Sequence, residues 1–270
     1  MEDIRFTSEA FAGCITAAIV TIMLPVLLMM LWKKRTHSRD SSLHFLIGAV
    51  TFMAFAFILE RIVIYALDTA LDGSLTEVMA DNLWLSGIIG GLLAGVFEEC
   101  GRFIAFSTVM KKCTDRRSAI SYGIGHGGIE SMVIVGLSMV QALSIGIALQ
   151  VGNGNILLSG LDAESAAALT ENISEAASFS FVNGLHTIWE RIFAIIIHIS
   201  FSVLVFAAAK KKKYRLLFPL AIIIHALVDF SIPFMNAEKI SRLTGELIVT
   251  AFAAVLGILA YNIYKKLEEE

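Results

Sequence analysis

The chain has 270 residues, 57% of them hydrophobic, with only 17% charged. Its mean hydropathy of +0.76 lies far above that of an ordinary globular domain and excludes a soluble protein with a single core. The net charge of -3 is uninformative by itself, because acids and bases are segregated along the chain, and nothing in the balance points to nucleic acid.

The first apolar run, 11–32, follows an acidic tail (Glu2, Asp3, Glu9) and precedes Lys33, Lys34 and Arg35. A secretory leader carries its positive charge before the apolar stretch, so this run is expected to be a retained helix. The second run, 43–67, leads into a connection (68–82) with four acids and no Lys or Arg. The third, 83–110, ends at Lys111, Lys112, Arg116 and Arg117, and the fourth spans 118–149. A long connection, 150–180, again carries four acids and no Lys or Arg. Its stretch from Asp162 to Ala177 is Ala-rich with an N-cap residue in front, which predicts a short surface helix. The last three runs are 181–209, 216–235 and 245–264, with Lys210–Lys213 and Lys265–Lys266 following the first and third of them.

Runs of about 18 or more apolar residues are long enough to span a bilayer. The expected fold is therefore all-α, one seven-helix membrane domain over residues 1–270. Basic clusters follow runs one, three, five and seven, and acidic connections follow two and four. That alternation predicts an outside N-terminus and a cytoplasmic C-terminus, in an integral membrane protein. Cys14, Cys100 and Cys113 show no paired spacing, so no disulfide framework is expected. No CxxC or HExxH is present, which removes the zinc-ribbon and zincin patterns.

The chemistry sits inside the apolar runs. Glu98, Glu99 and Arg102 lie on the third helix, His126 and Glu130 on the fourth, His198 on the fifth, and His225 and Asp229 on the sixth. A charged side chain at membrane depth costs on the order of 2.5–3.5 kcal/mol and is kept when it faces a partner or a wet cavity. Counted from the nearest basic cluster at 1.5 Å per residue, all of these groups lie about 14–21 Å deep. Four helices thus deliver ionisable groups to one layer. Glu98 and Arg102, His126 and Glu130, and His225 and Asp229 are each i,i+4 pairs that share a helix face. Glycines 87, 90, 91 and 95, and 123, 125, 127 and 128, bare one side of the third and fourth helices for close approach.

Such a layer contains the parts for hydrolysis in a sheltered pocket. A buried carboxylate, Glu98 or Glu99, can act as general base on water, and Arg102 can hold it through charge-assisted bonds. His126, His198 and His225 can stabilise an oxyanion or hold a Zn²⁺ with an open position. Glu130 and Asp229 can orient the histidines or join the site. Glu60–Arg61 and Glu190–Arg191 read as local structural pairs, and Cys100 as an inert buried thiol.

Glu98-Glu99-x-x-Arg102, His126-Gly-Gly-x-Glu130, Trp189-Glu190-Arg191 with His198, and His225-x-x-x-Asp229 together resemble the YhfC family of intramembrane proteases. The likeness extends more loosely to PrsW, the CAAX-processing endopeptidases and the APH subunit of gamma-secretase. The resemblance implies peptide-bond hydrolysis in or beside a membrane segment, glutamic or metal-dependent, with Glu98 activating water and Glu99 and Arg102 supporting it. It implies a membrane protein or peptide as substrate. The two-residue gap before Arg102 departs from the CAAX enzymes' three and argues against prenyl-protein specificity. Two rival readings are a non-catalytic APH-like scaffold and a proton-coupled transporter, the latter disfavoured because no internal repeat is visible.

Overall fold

In hydrocarbon every backbone N–H and C=O must be satisfied within the protein, which leaves helices as the solution for long apolar runs of this kind. A computed structural model describes residues 4–37, 40–152, 154–237 and 239–267 of the chain. Glu2, Asp3 and the acidic residues 268–270, part of the charge pattern above, lie outside the described residues. Among the described residues there is no strand, and seven helices are long and apolar enough to cross a membrane: α1 (Ser8–Thr36), α2 (Ser41–Ala70), α3 (Leu83–Ser107), α4 (Arg117–Gln150), α5 (Phe181–Lys210), α6 (Lys212–Asn236) and α7 (Arg242–Lys266). Every predicted run is recovered, most of them extended by a few residues into the flanking polar segments.

Helix starts are set by the expected capping chemistry. The Asn82 side chain accepts from the backbone N–H of Trp84 at 3.0 Å and of Leu85 at 3.2 Å to open α3. Ser241 Oγ accepts from Thr244 N at 3.1 Å to open α7. In the long connection Ala163–Ala177 is helical, and Asp162 accepts from Ser165 N at 2.7 Å as its N-cap. At the other end of α3, Lys210 Nζ donates to the carbonyls of Phe106 and Met110 at 2.8 and 2.7 Å, engaging groups that a helix C-terminus leaves without intrahelical partners.

Three spanning helices depart from regular α geometry. α2 passes through a π segment at Met53–Glu60, and α4 through another at Ser131–Gly136. Such insertions are rare and concentrate at functional sites. α6 stops its regular course at Asp229 and resumes at Ile232–Asn236, with Pro233, which has no N–H to donate, in the first turn.

The chain forms two compact units. One comprises residues up to Leu24 together with Glu130–Arg191, with a small core of Phe6, Ala10, Cys14, Ala142 and Ala177. The other comprises Pro25–Ile129 and the chain from Ile192 onward, with a larger core that includes Phe106, Tyr122, Phe201, Leu204, Phe206 and Leu256.

Within the larger unit two glycine seams set the helix packing. A Cβ added at Gly87 would lie 2.7 Å from the carbonyl oxygen of Phe230, and one at Gly95 2.7 Å from that of Ile222. With Gly91 against Ala226 between them, α3 lies backbone to backbone on α6. A Cβ at Gly123 would meet Ile199 Cα at 2.6 Å, and one at Gly127 would meet His198 Cβ at 2.9 Å. This second seam joins α4 to α5. Small residues four apart permit the close approach that side chains would block. The first seam carries Glu98 and Glu99 alongside His225; the second carries His126 alongside His198.

Candidate active site

Consecutive residues on a helix point about 100° apart, so Glu98 and Glu99 enter different surroundings. Glu99 is fully buried, as is Arg102, and the guanidinium Nη1 donates to Glu99 Oε1. The same oxygen lies 2.7 Å from His225 Nδ1. Glu99 is thereby committed to two partners. Glu98 Oε2 instead faces imidazoles: His126 Nε2 at 2.9 Å, His198 Nδ1 at 3.8 Å and His225 Nε2 at 3.8 Å.

The three histidines come from α4, α5 and α6, and their rings adjoin. His126 and His198 have centroids 5.1 Å apart, and His198 and His225 5.7 Å apart. Aromatic neighbours fix their planes: Phe201 stacks on His225 at 5.0 Å and 4°, and Phe52 meets His126 edge-on at 5.3 Å. Arg102 Nη2 lies 3.2 Å from His198 Nδ1. A guanidinium only donates, so this Nδ1 is the acceptor, which leaves the proton of a neutral ring on Nε2. Asp229 Oδ2 is 3.5 Å from His225 Nε2, and Asp229 keeps partial exposure where α6 breaks.

Of the eight residues named from the sequence, seven (Glu98, Glu99, Arg102, His126, His198, His225 and Asp229) fall in the larger unit and form one connected set of side chains. Glu130 belongs to the other unit, where its Oε1 accepts from Arg191 Nη1 at 2.9 Å. Arg191 also bonds Glu190, so the adjacent pair read from the sequence is a bridge over two carboxylates. Arg102 likewise bonds Glu99, three residues before it, the partner that the family resemblance implies, while sharing an i,i+4 face with Glu98.

One residue was underestimated. Glu60, read as a local partner of Arg61, is buried at the end of the π segment of α2 and interacts electrostatically with Asp229 and His225 as well as with Arg61. The π geometry that directs it has no plain signature in the sequence. Phe201, three residues after His198 and one turn along α5, carried a spacing signal that was available.

The group suited to a metal is Glu98, His126 and His198, all buried, with ligand atoms within 4.8 Å of one another. This differs by one member from the three histidines named from the sequence; His225 is engaged by Glu99 at Nδ1 and faces Glu98 and Asp229 at Nε2. Two imidazoles and a carboxylate match the donor set of catalytic zinc sites, with a fourth position left for water or substrate. Tetrahedral zinc with ligands at 2.0–2.1 Å places ligand atoms roughly 3.3–3.4 Å apart. The separations of 2.9 and 3.8 Å from Glu98 Oε2 to His126 Nε2 and His198 Nδ1 bracket that spacing, and an ion held through His198 Nδ1 would replace the bond that this nitrogen accepts from Arg102. The residues fit a divalent ion.

This buried carboxylate–histidine cluster lies within a helical scaffold that defines a class, an integral membrane protein of seven spanning helices. The sequence model of the family described as YhfC intramembrane metalloprotease matches residues 20–253, and the chain belongs to that family. It is 33% identical over 257 residues to a Bacillus subtilis (strain 168) protein described as uncharacterized membrane protein YhfC, covering 93% of this chain and 95% of the relative. No solved structure matches the chain. The membership places the chain in the bacterial cytoplasmic membrane and supports a membrane protease.

Proposed function

We propose that the protein is a metal-dependent intramembrane endopeptidase, cleaving a membrane protein or peptide in or beside its membrane segment, with Glu98, His126 and His198 holding a zinc-type ion. The observation that carries this reading is the buried Glu98–His126–His198 group. When bound, such an ion supplies Lewis-acid activation of water and of the scissile carbonyl.

The chain's own residues do the rest. Arg102 neutralises Glu99, so that this pair anchors His225 through Nδ1. His225 Nε2 is then directed between Glu98 and Asp229 and can take a proton on that nitrogen, then release it to a leaving amine. Asp229, the more accessible carboxylate, lies on the side where α6 opens and can pass the proton to or from water. Phe52 and Phe201 hold the rings and exclude bulk water, which strengthens every charge interaction within. A metal-free variant in which Glu98 is the base uses the same geometry and is separated from the first by metal content. The basic ends of α1, α3, α5 and α7 face the cytoplasm in this reading, by the positive-inside rule.

The deciding experiment is metal analysis and cleavage of transmembrane peptides by detergent-purified protein, wild type beside His126→Ala/His198→Ala. Stoichiometric metal and cleavage, both lost in the variant, are expected. Cleavage without metal, abolished by Glu98→Gln, would assign the metal-free mechanism. A folded protein with neither metal nor cleavage of any peptide would overturn the peptidase reading in favour of a scaffold.

A further inference from the structure

Helices α1, α4, α5 and α7 wall a groove of about 950 Å³ in the larger unit. Its chemistry changes along its length. Ile124, Ile199 and Val203 line an apolar stretch, one helix position beyond His198 and two before His126, whereas Arg35 and Arg117 stand at the other end. Trp32 and Tyr261 lie between, the level at which amphipathic aromatics settle in a bilayer. None of the residues lining the groove is acidic.

The basic end is underused by the protein. Arg35 is exposed and, among the described residues, makes no ion pair. Arg117, half-exposed, reaches Asp115 only at 4.0 Å and the Thr36 carbonyl at 3.4 Å. The Trp32 indole N–H, shielded from water, finds no acceptor among the described residues. An unsatisfied donor at that depth is costly, and an ester or phosphate oxygen would satisfy it.

We propose that this groove binds an anionic phospholipid, with an acyl chain along the apolar stretch and the phosphate between Arg35 and Arg117. Basic pockets between membrane helices are suited to such headgroups. A free anion would leave the apolar stretch unfilled. A spanning substrate helix offers apolar side chains but no fixed negative charge for the two arginines, which a phosphate supplies. The site is independent of the peptidase reading and stands or falls separately from it.

The test uses Trp32 as reporter. In full-length protein carrying Trp84→Phe and Trp189→Phe, in phosphatidylcholine nanodiscs, Trp32 fluorescence is measured with a low fraction of brominated phosphatidylglycerol or of brominated phosphatidylcholine. Two arginines predict a preference of about 10-fold or more for the anionic lipid. Arg35→Gln/Arg117→Gln is expected to equalise the two lipids. Gly257→Leu, at a wall position where an added Cβ meets nothing within 4 Å, is expected to fill the groove and remove the selective quenching without lowering the melting temperature. That second variant carries the test if the arginine variant fails to fold. Equal quenching by both lipids in the wild type, or selectivity that survives Gly257→Leu, would overturn the proposal. So would quenching relieved by an added transmembrane peptide but not by excess unbrominated phosphatidylglycerol, which would assign the groove to substrate.

Discussion

Glu98 Oε2 and His126 Nε2 approach to 2.9 Å across the α3–α4 boundary, both shielded from bulk water. A single proton shared between them, or an ion inserted beside them, changes the charge of the whole pocket. Replacing Glu98 by Gln keeps the shape and removes that charge. Cleavage is expected to fall by at least about 10²-fold, the usual scale for a lost general base, with bound metal reduced in parallel. Retained activity in a folded Glu98→Gln protein would remove Glu98 from the chemistry.

Chelation provides a second check that needs no substrate. A ligand that binds only the folded state stabilises it by about 2.7 kcal/mol at 100 times its dissociation constant. Adding a strong chelator to zinc-loaded protein is therefore expected to lower its melting temperature. The same addition should leave His126→Ala/His198→Ala where it was. A shift of equal size in the variant would mean that zinc acts elsewhere on the protein.

The Glu99–Arg102 pair makes a stability prediction. Breaking a buried pair strands the remaining charge and typically costs about 3–5 kcal/mol, whereas removing both charges is often close to neutral. Arg102→Met is thus expected to destabilise strongly, and Glu99→Gln/Arg102→Met to recover most of the loss. Activity should stay low in both: Arg102→Met leaves the Glu99 charge uncompensated beside His225, and the double variant removes the carboxylate that anchors His225. Thermal melts of the two variants side by side decide it.

How far the sequence could reveal this site is clear from these same residues. The seven spans were legible because apolar runs of that length have few other uses. The buried charged layer was legible because Glu98, Arg102, His126, His198 and His225 are costly at membrane depth and are kept there where they meet partners. The choice of partner was not. Helical spacing puts Arg102 within reach of both Glu98 and Glu99, and only the rotation of α3 on its glycine seam selects Glu99. The placement of Glu130 with Arg191, and of Glu60 near Asp229, depends on packing between helices and on π turns, for which residue spacing carries no code.

The seam itself can be tested by two neighbouring glycines. Gly95→Ala would put a methyl 2.7 Å from the Ile222 carbonyl, while Gly90→Ala meets nothing within 4 Å. The first is expected to destabilise by about 1–3 kcal/mol, as overpacking does, and to separate Glu99 from His225 with loss of cleavage. The second should be neutral or slightly stabilising, since Ala is the better helix former. Similar melting temperatures for the two would mean that α3 and α6 are not closely packed.

The helix Ala163–Ala177 carries a pH dependence of its own. Bonds from the backbone N–H and the hydroxyl of Ser165 hold the Asp162 carboxyl below the usual aspartate range. Its contribution is therefore complete above the ordinary aspartate value of about 3.9 and fades as pH falls through the lowered folded value. The protection factors against hydrogen exchange in this helix, taken relative to the intrinsic rate at each pH, are expected to fall on acidification in the wild type. Asp162→Ala should exchange faster at neutral pH and lose that acid sensitivity.

The π segment at Met53–Glu60 winds more residues into each turn than a regular α-helix does. Phe52, against His126, lies just before it, and the buried Glu60 closes it. Deleting a single residue there would let the segment relax to α geometry and swing everything beyond it by about 100° about the helix axis, Glu60 included. Physically, length is thus more constrained than composition in this stretch. Relatives that keep this pocket should vary in the letters of those eight positions but not in their number.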